Sequence, residues 1–375
     1  MKIGIMSMQR VANYGSFLQA YGLKKMIESK GHQVTFVDYK AGYPVTPGMS
    51  KGEFAELWVR DKLICLATPF AGLLFHYNKG MGYALGFRKR YAKEFLPLLN
   101  VSRKRRDSSG LDTLVIGSDE VFNCLQSNPS VGFSPQLFGQ DNKAPRLISY
   151  AASFGNTTLE GLISVGKAGQ IGHLLSEFDA LSVRDENSRY ITENLTGKKA
   201  CVNLDPVLMY DFSKEDLPDA DTVELGEYIV VYAYRGRISP EEAKAIRSFA
   251  DSEGKKLVCL GGYHGFCDEY IEATPFEVLS YIKKADCVIT DTFHGSVFSV
   301  INQKRFAVLV RNGQGREYGN SQKLGDLLSR LGLTDRAVKS LSALAETVKK
   351  EIDYQKVNSI IEKEREKADE YLKNL

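Results

Sequence analysis

The run Asp291-Thr292-Phe293-His294-Gly295-Ser296 sets an imidazole between a carboxylate and a glycine. An imidazole gives or takes a proton near neutral pH, and a carboxylate can orient it or act as a base. A helix start after the glycine would add unpaired N–H groups and a partial positive charge, which suit a phosphate or carboxylate. The segment thus reads as an acid–base group beside an anion site, made by His294, Asp291, Gly295 and Ser296. A plainer reading has Asp291 capping the turn and His294 packing. Asn13 and Ser16, Ser118, Asp119 and Asn123, Arg184, Arg235, Arg237 and Arg311 stand in other polar stretches that follow apolar ones. Guanidinium groups hold phosphates and carboxylates with paired donors, although a strand-end arginine is often only a salt-bridge partner.

The surrounding elements give these stretches a place. Lys2 to Met6 is a strand, Ser16 to Lys30 a helix closed by Gly31, and Gln33 to Tyr39 a second strand. That is a β-α-β unit. Further strands are expected at Thr113 to Gly117, Leu147 to Ala152 and Ala180 to Val183. After an acidic connector, Asp211 to Glu227, strands return at Tyr228 to Tyr234, Lys256 to Leu260, Ala285 to Thr290 and Phe306 to Val310. Ser239-Pro240 and Thr274-Pro275 carry helix-start signals, and a helix is expected from Ser296. The polar stretches therefore leave strand carboxyl ends, where open α/β sheets bind ligands. The expected fold is α/β, with two Rossmann-like domains facing across a cleft in the GT-B manner. They cover residues 1–212, the acceptor side, and 225–340, the donor side, with a long C-terminal helix in 341–375. The first loop lacks G-x-G-x-x-G, so no dinucleotide fingerprint is present.

A chain of 375 residues with 43% hydrophobic and 25% charged residues is long enough for two domains with cores of their own. Its formal charge of +3 gives no global field for nucleic acid. The six cysteines show no C-x-x-C spacing and no nearby histidine completes a zinc set, so neither a metal site nor a disulfide is expected. The chain enters its first strand without a signal-like segment, which points to the cytoplasm. Residues 41–107 form a helical insertion. Within it Leu63 to Phe75 is apolar but short and broken by Pro69, and the basic runs Arg88-Lys89-Arg90 and Arg103-Lys104-Arg105-Arg106 follow. The preferred reading is a helical cap with a solvated basic loop. The other is peripheral contact with anionic headgroups at the inner face of a membrane.

The chain resembles the polysaccharide pyruvyl transferase family. The resemblance runs in order through Asn13-Tyr14-Gly15-Ser16-Phe17-Leu18-Gln19-Ala20, Ile116-Gly117-Ser118-Asp119, Ser182-Val183-Arg184-Asp185, Asp205-Pro206-Val207 and Thr290 to Ser296. It implies transfer of the enolpyruvyl part of phosphoenolpyruvate to a sugar of a polysaccharide or its lipid-linked precursor, giving a pyruvate ketal and phosphate, with no cofactor. One departure is Glu120-Val121-Phe122, where the family is associated with Gln-Val-Trp, so altered stacking of the acceptor is expected there. On this reading Arg184 and the Ser296 helix start hold the donor, with Arg235 and Arg311 behind them, while Asn13, Ser118 and Asn123 line the acceptor side. His294 is the general acid to C3, and Asp119 or Asp291 the base on the sugar hydroxyl, unless Asp291 only orients His294. Two other functions fit the same elements. A GT-B glycosyltransferase would hold a nucleotide ribose through Glu269, Glu272 or Glu277, and a non-catalytic sugar- or phosphate-binding protein would keep the fold alone.

Overall fold

Short strands apolar on both faces need helices on both sides, and the chain builds two such sheets. The computed structural model describes residues 1–43, 79–126, 132–222, 224–312 and 319–375, with scattered positions between 45 and 63. The apolar segment behind the membrane-surface reading lies outside the described residues except for Leu63. Among the described residues no helix is long and apolar enough to cross a membrane.

The first sheet has the order β2-β1-β3-β4-β5-β6. Its strands are β1 (Lys2–Met6), β2 (Gln33–Phe36), β3 (Thr113–Asp119), β4 (Arg146–Ala152), β5 (Ser182–Val183) and β6 (Cys201–Val202). The second has the order β11-β10-β7-β8-β9, from β7 (Tyr228–Tyr232), β8 (Lys256–Leu260), β9 (Glu269–Tyr270), β10 (Cys287–Thr290) and β11 (Arg305–Val308). Every pairing is parallel. β3 and β7 are buried along their whole length, as strands covered on both faces must be. The sequence reading misses the two-residue strands β6 and β9, which are too short to carry a pattern, and β5 is shorter than expected, with Ala180 in an isolated bridge.

Strand order locates the crevices. In the first sheet the chain lays β2 on one side of β1 and β3 on the other; in the second, β8 and β10 flank β7 in the same way. The loops leaving two neighbouring strands at such a reversal diverge and open a crevice at their carboxyl ends. Those loops are the ones after β1 and β3, and the ones after β7 and β10. The two sheets are separate, and helices join them into one body. The Tyr14 hydroxyl, on the Tyr14–Glu28 helix, donates to the Ala273 carbonyl at 2.8 Å. The insertion helix Lys79–Arg90 sets Phe87 against Tyr14 and Tyr83 against Tyr270, and Arg90 donates to the Glu272 carbonyl. The C-terminal helix Tyr354–Lys373 crosses back to the first half, where Tyr371 donates to Ser149 O and Arg365 to Leu208 O.

Candidate functional site

The Tyr14–Glu28 helix starts two residues earlier than expected because Asn13 caps it, accepting from the Ser16 N–H at 2.7 Å. The Asn13 amide nitrogen then donates to Ser16 Oγ at 2.9 Å, and Ser16 Oγ donates to Asp119 Oδ2 at 2.7 Å. Asp119 ends β3 with φ 78°, a left-handed conformation uncommon outside glycine. Residues held there collect at functional sites. The loops after β1 and β3 thus meet through a hydroxyl and a carboxylate.

On the opposite side the Phe293–Ile301 helix also starts early. Thr292 caps it, taking the Gly295 N–H at 2.8 Å. This corrects two expectations, since Asp291 is not the cap and the helix does not begin at Ser296. Ser296 is fully buried, its hydroxyl donating to Thr292 O and its N–H to the same carbonyl. By position, the first-turn amides without an intrahelical acceptor are those of Phe293 and His294. An anion at this end would therefore meet them rather than Ser296.

His294 points into the first half. Its Nε2 lies 3.4 Å from Asp205 Oδ2, an ion-pair distance that falls short of a hydrogen bond. A Cβ on Gly15 would stand 2.1 Å from its Nδ1, so the ring rests on bare backbone. Asp205 also takes Arg184 Nη1 at 3.1 Å on the same oxygen, while its Oδ1 caps the Pro206–Met209 helix through the Val207 N–H at 3.0 Å. Arg184 reaches Asp119 Oδ1 at 3.6 Å and is only 2% exposed. Burial works against the Asp205 carboxylate, but His294 and Arg184 outweigh it and hold its pKa below the ordinary value. Burial likewise opposes the Arg184 charge, and Asp205, Asp119, Glu120 and Asp185 more than restore it. The carboxylate beside His294 is therefore Asp205 and not Asp291.

Asp291 faces its own half. It is fully buried, Arg311 Nε lies 3.5 Å from its Oδ2, and its Oδ1 has no partner among the described residues. Burial raises its pKa against the pull of Arg237 and Arg311. Arg311 is bound bidentately by Glu242 at 2.8 and 2.9 Å, so its charge is already matched. Arg235 is exposed at the rim, next to Gly80 of the insertion helix. His264 is buried with Nε2 3.0 Å from Ala233 O, and burial lowers its pKa.

Two expected acceptor-side residues are taken up by the fold. The Ser118 hydroxyl donates to Ala151 O inside the sheet. The Asn123 amide donates to Glu120 Oε2 at 2.6 Å and accepts from Thr157 Oγ1 at 2.8 Å. Phe122 is fully buried and stacks on Phe138, so the expected stacking of an acceptor there is corrected: the ring is core. Glu277, one candidate for a ribose partner, closes a capping box with Thr274 instead. Sequence reasoning missed Asp205, Phe293 and Lys323. Asp205 looks like an ordinary helix cap, which it also is. Phe293 carries the Arg184 guanidinium on its ring, and Lys323 crosses to Glu120 at 2.5 Å. Among the described residues no group of three or more His, Cys, Asp or Glu is placed to hold a metal ion.

The family described as polysaccharide pyruvyl transferase matches residues 13–313, a span that contains every side chain of the junction apart from Lys323. Comparison with curated proteins gives no match. Solved structures that resemble the chain include S. aureus MnaA with UDP, at 12% identity and TM-score 0.48, covering 98% of this chain and 90% of that one. The alpha-glucosyltransferase bound to UDP and a 13-mer DNA gives 12% and 0.46, covering 99% and 95%. Methanocaldococcus jannaschii UDP-GlcNAc 2-epimerase with UDP-GlcNAc and UDP gives 11% and 0.45, covering 96% and 99%. At such identities and TM-scores the likeness adds nothing to the two parallel sheets already described.

Proposed function

The chain belongs to the polysaccharide pyruvyl transferase family, and from that premise we propose that it makes a pyruvate ketal on a sugar, with phosphoenolpyruvate as donor. In this reaction a sugar hydroxyl oxygen bonds to C2 of the donor as C3 takes up a proton. The C2–O bond to phosphate then breaks, and a second hydroxyl oxygen closes the ketal. Two hydroxyl protons are released, one balancing the methyl group and one leaving with phosphate.

The observation that carries the reading is the meeting of the two crevices at one buried junction, where Asp205 is shared by Arg184 and His294. The first-half rim is rich in carboxylates: Asp119, Glu120, Asp185 and Asp205 outweigh Arg184 and Lys323. That suits hydroxyl groups and disfavours a phosphate. The second-half rim offers Arg235 and Arg237 and the amides of Phe293 and His294, which suit the donor's charges, while Arg311 stays behind them on Glu242. His294 supplies the proton to C3. Asp119, already linked to the Ser16 hydroxyl, is the base for the attacking sugar hydroxyl.

The test uses purified protein, phosphoenolpyruvate and a panel of sugars, including lipid-linked precursors. Expected are acceptor-dependent release of phosphate and a new ketal methyl signal in the product. Release of a nucleotide from a sugar nucleotide, with phosphoenolpyruvate left intact, would sink the proposal.

A further inference from the structure

The two nitrogens of His294 have different surroundings, and these assign their work. Nε2 is fully buried and faces Asp205 Oδ2 at 3.4 Å. That carboxylate is itself 0% exposed and anchored twice more, by Arg184 Nη1 at 3.1 Å and by the Val207 N–H at 3.0 Å. An imidazole lone pair aimed at a carboxylate oxygen is repelled, whereas an N–H is attracted. Nδ1 lies on the other side, against the start of the Tyr14–Glu28 helix, where a glycine at position 15 leaves the ring its place.

We propose that Asp205 is a positioning residue that keeps a proton on Nε2 of His294, so that Nδ1 is the nitrogen that meets the substrate. The carboxylate comes from the first half and the imidazole from the second, so the acid is in register only when the halves are together. After Nδ1 gives its proton to C3, the ring keeps its Nε2–H toward Asp205, and a proton from solvent or the second sugar hydroxyl reloads Nδ1. Fixing the tautomer of a working histidine through a buried carboxylate on its far nitrogen is a general device. The assignment of roles rests on the proposed function, but the tautomer does not.

The experiment therefore has two arms. The full-length protein is labelled with 15N-histidine, His294 is assigned by comparison with His294→Gln, and its neutral tautomer is read from long-range 1H–15N correlations. The expected result is Nε2–H in the wild type. In Asp205→Asn the carboxamide can still cap Val207, while its NH2 group faces Nε2 and turns the ring to the Nδ1–H form. A wild-type ring protonated on Nδ1 overturns the proposal, even if Asp205→Asn does not fold. In the second arm, ketal formation is followed in deuterated water. Asp205→Asn should lower kcat by about 10²–10⁴-fold, the usual contribution of a general acid, with a smaller change in KM for phosphoenolpyruvate. A variant with wild-type kcat overturns the positioning role. Absence of ketal formation by the wild type would count against the proposed function and leave the tautomer result to decide the inference.

Discussion

Arg184 lays its guanidinium over the Phe293 ring, with Cζ 4.1 Å from the centroid, so a buried cation of the first half rests on the helix start of the second. The stacking adds to two ion pairs, with Asp205 at 3.1 Å and Asp119 at 3.6 Å. Arg184 is thus already neutralised in the structure, and its main work in the resting protein is to balance two carboxylates.

It follows that Arg184→Ala should cost stability before it costs donor affinity. Removing one partner of a buried charge network leaves the others uncompensated, at about 3–5 kcal/mol. Urea unfolding should show that loss, while Arg184→Lys should recover part of it by keeping the charge. A wild-type unfolding midpoint in Arg184→Ala would mean that the guanidinium is not the counterion of Asp205 and Asp119.

The sheets were legible because parallel strands buried on both faces leave continuous β-branched runs, such as Ile229-Val230-Val231 and Val288-Ile289. The crevice loops followed, since polar residues at strand ends are a local pattern. What a side chain does inside such a loop is not local. Ser118 and Asn123 look like ligand groups, yet neighbouring backbone and Glu120 consume their hydrogen bonds. Asp205 reads as a cap because one oxygen is a cap; the other oxygen's partners lie at positions 184 and 294. Asp291 looked like the natural partner of His294, three residues away. The Thr292 cap starts the helix between them, so Asp291 stays with Arg311 while His294 faces Asp205. The sharing of a carboxylate across two halves leaves no trace in sequence spacing.

Glu120 and Lys323 tie the halves together at 2.5 Å. Burial opposes the Glu120 carboxylate, but Lys323 and Arg184 bring its pKa from 4.5 down to about 2. A carboxyl with a lowered folded pKa adds stability above its unfolded value and loses it as pH falls through the folded one. The contribution, roughly 3 kcal/mol at neutral pH, should disappear between about pH 4.5 and about 2. Glu120→Gln should lack that loss over the same window in urea unfolding. Parallel pH curves for the two proteins would show that the ion pair does not stabilise the folded state.

Asp326 has the opposite sign. It accepts the Glu186 N–H at 3.2 Å, and burial raises its pKa from 3.8 to about 6 against that bond and Arg330. A raised carboxyl pKa makes the folded state bind its proton more tightly, so stability falls as pH rises from 3.8 to about 6. Asp326→Asn keeps an acceptor for Glu186 and removes the charge. It should be more stable than the wild type at pH 7, by roughly 1–3 kcal/mol, and equal to it near pH 3. Thermal unfolding across this range would decide, and a variant less stable at pH 7 would mean that the charge is needed.

Gly15 offers the most direct test of the His294 placement. A Cβ there would stand 2.1 Å from Nδ1, 2.3 Å from Cγ and 2.8 Å from Cε1 of the imidazole. These distances are too short for any contact, so the ring must leave. The backbone itself does not demand glycine, because residue 15 lies in the first turn of a regular helix and is not among the positive-φ glycines. Alanine there gains up to about 1 kcal/mol of helix propensity, which partly offsets the lost packing. Gly15→Ala should therefore fold but lose turnover to the level of His294→Gln, about 10²–10⁴-fold below wild type. The double variant should be no slower than either single one, because both remove the same group from the same place. Solvent deuterium transfer into the ketal methyl should slow equally in all three. If Gly15→Ala keeps near wild-type turnover, or if the losses multiply in the double variant, then the imidazole resting on Gly15 is not the group that delivers the proton.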